Sequence, residues 1–102
     1  MAPEIRKKIQ NIVEMALQLN GSSTTRKLTE NKPTIFFEYS GHCAMFVVSI
    51  FNNGWEDIKP YNLPSKMWRI YLDLDDVDNE KYIITALEEI ENKLTELTDK
   101  WR

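Results

Sequence analysis

One cysteine, one histidine and three glycines among 102 residues remove several chemistries before any motif is sought. Cys43 has no partner for an internal disulfide, which points to a reducing compartment. His42 is the lone histidine, so a zinc site of the usual nitrogen and sulfur ligands lacks members. Gly21, Gly41 and Gly54 lie far apart and make no phosphate-cradling loop. No stretch approaches the roughly 20 apolar residues of a membrane span. The first apolar segment is preceded by Arg6, Lys7 and Lys8 and broken by Gln10, Asn11 and Glu14, unlike a signal peptide. Low-complexity tracts, long linkers and internal repeats are also missing. These absences lead to the expectation of a single domain over residues 1–102, cytoplasmic, with no cofactor and no metal. A chain of this size buries about 60–70 % of its unfolded surface, enough for one core without staples.

What is present is organised around residues 33–55, which read as a β-hairpin. Ile35, Phe37 and Tyr39 alternate with Thr34, Phe36 and Glu38 in the first arm. Ala44, Phe46, Val48 and Ile50 alternate with Met45, Val47, Ser49 and Phe51 in the second. Side chains of a strand point to opposite faces with period two, and β-branched and aromatic residues suit that surface. Ser40-Gly41-His42 supplies the turn, with Gly41 the expected positive-φ position. Asn52-Asn53-Gly54 closes the second arm. Both faces of the hairpin carry apolar groups, so both call for cover.

Residues 3–20 predict an amphipathic helix. Ile5, Ile9, Ile12, Ala16 and Leu19, widened by Val13, make its stripe. Pro3 suits the first helical position, Glu4 the first turn, and Gly21 after Asn20 a stop. Residues 22–33 are polar, and Thr24 to Thr29 form either a short edge strand or an ordered loop. Residues 55–66 hold two prolines and predict a long loop carrying Trp55, Ile58, Tyr61 and Leu63. Residues 67–75 predict a half-buried strand, Trp68, Ile70, Leu72 and Leu74 facing Arg69, Tyr71, Asp73 and Asp75 across the pleat. Residues 77–101 predict the longest helix, with Ile83, Leu87, Ile90, Leu94, Leu97 and Trp101 at four-three spacing. Asp76 and Asp78 are placed to cap its start, and Glu89 and Lys93 to pair along it. The predicted fold is therefore α+β: an N-terminal helix, an antiparallel meander of three to four strands, and a long C-terminal helix packed on the sheet.

The candidate chemistries are weak. The acidic run from Asp73 to Glu80 lacks the glycine and distal glutamate of an EF-hand loop, and reads better as a wet strand end followed by a helix start. His42 and Cys43 are adjacent, so on a strand they point apart, poor geometry for a nucleophilic pair. Neither is expected to be catalytic. An alternative reading, a small-molecule-binding or catalytic pocket between helix and sheet, centres on Glu38, Tyr39 and His42. Charge is uneven: residues 1–33 hold six basic and three acidic side chains, residues 34–102 seven and thirteen. Arg6, Lys7, Lys8, Arg26, Lys27 and Lys32 are the only material for a nucleic-acid patch and read as solvated faces, so nucleic acid is not the expected partner.

The surplus of large side chains is more informative. Phe36, Phe51, Trp55, Tyr61 and Tyr71 exceed what the core stripe accommodates, and Asp73 and Asp75 border them. Tryptophan and tyrosine dominate interface hot spots, so these seven residues are the candidate partner-binding set. A homodimer is one way to cover such a patch, and a heterologous protein is the other.

The run from Pro33 to Trp55 with its Gly41-His42 and Gly54-Trp55 pairs, followed by Tyr71-Leu72-Asp73 and the C-terminal heptad helix, resembles small α-β-β-β-α proteins encoded by bacteriophages and prophages. The resemblance covers about two-thirds of the chain. It implies a non-enzymatic phage protein that binds a macromolecular partner in the cytoplasm of a bacterial host. Some small acidic proteins of this layout inhibit host defence nucleases, as anti-CRISPR proteins do. That group shares no functional residues to carry across.

Overall fold

The computed structural model describes residues 2–20, 33–42, 44–51, 64–72 and 77–100, the side chains of Val77 and Asp78 excepted. Its elements are α1 (Pro3–Asn20), β1 (Thr34–Ser40), β2 (Met45–Phe51), β3 (Lys66–Tyr71) and α2 (Val77–Lys100). The strands form an antiparallel meander in the order β1-β2-β3. This is the predicted α+β architecture, with three strands in the sheet. The segments 24–29 and 55–63, together with Trp101, lie outside the described residues.

Each helix buries the stripe that its spacing announces. In α1, Ile5, Ile12 and Ala16 are buried and Ile9 and Leu19 pack beside them. In α2, Ile83, Leu87, Ile90, Leu94 and Leu97 are buried. Both stripes meet the same side of the sheet, because Ile35, Phe46, Val48, Ile50, Ile70 and Leu72 join them in one cluster. Full burial of a side chain such as Leu87 or Ile90 contributes about 2–3 kcal/mol relative to exposure.

Polar contacts join the helices outside that core. Lys8 Nζ lies 3.2 Å from Glu91 Oε1 and 3.5 Å from Glu88 Oε1, and Asn11 Nδ2 donates to Glu91 Oε2 at 2.7 Å. The Glu91 carboxylate beside it raises the Lys8 ammonium above its ordinary value, with Glu88 adding to the effect. Glu89 does not pair with Lys93: it accepts a 3.4 Å bond from the Trp68 indole N–H, and Lys93 turns to Glu96 at 3.7 Å. The indole thereby links α2 to β3, while Lys66 Nζ lies 5.4 Å from the Trp68 ring centroid.

The hairpin turn differs from expectation. Ser40 and Met45 are the last paired residues, so the loop comprises 41–44, and His42 sits in it, exposed, and not on a strand. Among the described loop residues the left-handed position is Ala44, with φ 48°, and not Gly41. A four-residue connection moves the left-handed residue to the far end of the loop, where Ala44 both begins the return and packs against the core. The Ala44 carbonyl also accepts from the Leu72 N–H at 2.8 Å, and Ile50 O from Ser65 N at 2.7 Å, extending the β2-β3 pairing at both ends. The strand expected over 67–75 is observed as Lys66–Tyr71, continued by Leu72, and residues 73–75 lie outside the described residues.

Candidate partner-binding face

The register assigns every strand side chain to one of two faces. The inner face carries Ile35, Phe37 and Tyr39 from β1, Phe46, Val48 and Ile50 from β2, and Lys66, Trp68 and Ile70 from β3. The outer face carries Thr34, Phe36, Glu38 and Ser40, then Met45, Val47, Ser49 and Phe51, then Met67, Arg69 and Tyr71. Helices pack only on the inner face among the described residues.

The outer face is built in rows. Phe36, Ser49 and Met67 lie side by side; Glu38, Val47 and Arg69 form the next row; Ser40, Met45 and Tyr71 the last. Neighbouring strands lie about 4.8 Å apart and successive rows about 7 Å, so the three rows span roughly 10 by 14 Å. Phe36, Met67 and Tyr71 remain 45 %, 48 % and 49 % exposed. Val47, Met45 and Ser49 are half-buried in the central strand between them. Glu38 and Arg69 flank Val47 two strands apart, too far to pair directly.

Of the expected partner-binding residues, Phe36 and Tyr71 lie on this face and are partly exposed. Phe51 lies on the same face but is buried, its ring edge-on to Phe36 with centroids 5.3 Å apart. It serves as a support for Phe36 more than as a contact surface. Trp55, Tyr61, Asp73 and Asp75 lie outside the described residues. Met67, which lies in the same row as Phe36 and on the same strand as Tyr71, is missing from the sequence-derived set. Its signal was available, since β3 read as alternating and Met67 shares parity with Arg69 and Tyr71.

Glu38, Tyr39 and His42 do not converge. Glu38 is on the outer face, Tyr39 is on the inner face at the sheet edge, and His42 is in the turn, and all three are exposed. Glu38 meets only the Ser40 hydroxyl, at 3.5 Å, among the described residues. A shallow depression beside Pro3, Glu4, Arg6, Lys7 and Gln10 lies on the outward side of α1 and has mixed charge. Lys8 is engaged by Glu88 and Glu91, which leaves Arg6 and Lys7 as the exposed basic side chains of α1. Among the described residues no helix is long and apolar enough to cross a membrane.

Comparison with family models, with curated proteins and with solved structures finds no match for this chain.

Proposed function

We propose that this chain works by binding a macromolecular partner through the outer face of its sheet, and not by catalysis. The observation that carries the reading is the exposure of Phe36, Met67 and Tyr71 on the outer face of a sheet whose described helices lie on the other side. Exposed aromatic and thioether side chains grouped on one sheet face suit a partner surface. Within this reading the chain is an inhibitor of the type that small phage-encoded proteins direct at host defence systems such as CRISPR nucleases. The acidic surplus of residues 34–102 suits a protein partner with a basic surface. A symmetric homodimer covers the same face equally well in principle.

The test compares the native chain with a Met67→Asp/Tyr71→Ala double variant, both checked for unchanged thermal melting. The native chain is expected to retain a stoichiometric protein partner from a bacterial extract, or to sediment as a dimer at micromolar concentration, and the double variant to do neither. Equal retention by both chains, with both sedimenting as monomers, refutes the outer face as the binding surface.

A further inference from the structure

Among the described residues the sheet has a second unsatisfied feature, the edge of β1 away from β2, and it is more specific than an apolar face because its groups are directional. The side chain of Asn20 grips the main chain of Ile35 from the side away from β2: Nδ2 donates to the Ile35 carbonyl and Oδ1 accepts from the Ile35 N–H, both at 2.8 Å. An antiparallel strand sends its main-chain groups alternately to either side. Phe37 and Tyr39 share the parity of Ile35, so their N–H and C=O groups also point away from β2. Among the described residues nothing bonds them. Their side chains are 38 % and 53 % exposed, although the inner face is where the core lies. An unprotected edge with aromatic side chains is normally blunted by charge, proline or a cover. Here Asn20 blunts one position and leaves the next two open.

We infer that the β1 edge from Phe37 to Tyr39 accepts an extended segment of a partner protein, added as an antiparallel strand, with a lysine or arginine opposite Glu38 and apolar residues on either side of it. The inference rests on the reading of the chain as a partner-binding protein and specifies a second element of that binding. Asn20 ends the pairing at Ile35, and the turn at Gly41 ends it on the other side, so the site is short. A strand laid against Phe37 and Tyr39 closes about four main-chain hydrogen bonds. Its flanking apolar side chains fall on the inner side, against the exposed rings of Phe37 and Tyr39. Its central side chain falls on the outer side, beside Glu38, a carboxylate with no cation within ion-pair distance among the described residues. The same geometry argues against a second copy of this chain. The two-fold pairing that uses both free residues sets Glu38 directly opposite Glu38, and like charges so placed are destabilising.

The probe is a pair of acetylated, amidated five-residue peptides, Thr-Val-Lys-Val-Thr and Thr-Val-Glu-Val-Thr, titrated into the full isotope-labelled chain. The lysine peptide is expected to shift the Phe37 and Tyr39 amides and slow their hydrogen exchange, binding about fivefold tighter than the glutamate peptide. In the Glu38→Lys variant the preference is expected to reverse. Phe37→Pro removes one edge donor without touching the β1-β2 ladder and is expected to abolish binding of either peptide. Equal binding of both peptides, shifts confined to Phe36, Met67 and Tyr71, or no shift at all each overturn the inference. So does a neutral-pH dimer protected at the Phe37 and Tyr39 amides. The Met67→Asp/Tyr71→Ala variant separates the two readings: it leaves this titration unchanged if the edge acts alone, whatever happens to capture by the outer face.

Discussion

The two faces of this sheet share three strands and differ in what lies on them. The inner face meets two helical stripes and disappears into a core where Phe46, Val48 and Ile50 are almost fully buried. On the outer face of the same strand, Met45, Val47 and Ser49 remain half-exposed. Strand alternation alone cannot say which set is core, since both contain large apolar residues. The difference comes from the helices, which bring their stripes to one side only. Apolar content therefore marks a strand as suited to burial, and only the neighbouring layer decides whether burial happens.

Truncations test that contrast most directly. Leu87→Ala or Leu94→Ala, in the layer that makes the inner face a core, should cost about 2–5 kcal/mol. Tyr71→Ala, on the outer face, should change stability by no more than about 0.5 kcal/mol. Urea titrations of the three variants check this, and a similar loss at Tyr71 and Leu87 would mean that the outer face is also core.

An intermediate effect is expected where α1 meets the edge of the sheet. Asn20→Ala removes two hydrogen bonds from the Ile35 main chain and should cost about 1–2 kcal/mol. It should also speed hydrogen exchange at the Ile35 amide while leaving Val48, in the central strand, protected. Unchanged exchange at Ile35 would show that the amide clasp does not hold the edge.

The smallest effect belongs to the half-buried polar link between the helices, Lys8 to Glu91. Hydrogen bonding to Glu91 raises the Lys8 pKa above 10.5, so the folded state holds this proton more tightly than the unfolded chain does. The stabilisation is then complete below the ordinary lysine value and is lost as pH rises through the folded value. Native chain and Lys8→Met should differ slightly at neutral pH and converge in the alkaline range. A gap that stays constant through that range would mean that packing of the lysine stem, and not its charge, sets the difference.

Much of this was legible in the residues. Helical spacing picked out Ile12, Ala16, Ile83, Leu87, Ile90 and Leu94, and strand alternation paired Ile70 and Leu72 against Arg69 and Tyr71. Three features were not legible. Gly41 was the natural choice for the left-handed turn position, but the loop length gave that role to Ala44. Phe37 and Tyr39 share the parity of Ile35, yet they stay exposed where Ile35 is buried, and among the described strands β1 pairs on one side only. Phe51 read as surplus surface, yet it is buried on the outer side beside Phe36.

Local chemistry set the elements of this protein: where helices start, which residues share a stripe, and which alternate across a strand. Those choices depend on periods of 3.6 and 2.0 that short stretches of chain carry by themselves. Tertiary structure alone decided that both helices cover one face, that Asn20 reaches the main chain of Ile35 fifteen residues on, and that Phe36, Met67 and Tyr71 from the two outer strands share the other face. Each of these is a contact between segments distant in sequence, and no period within either segment encodes it.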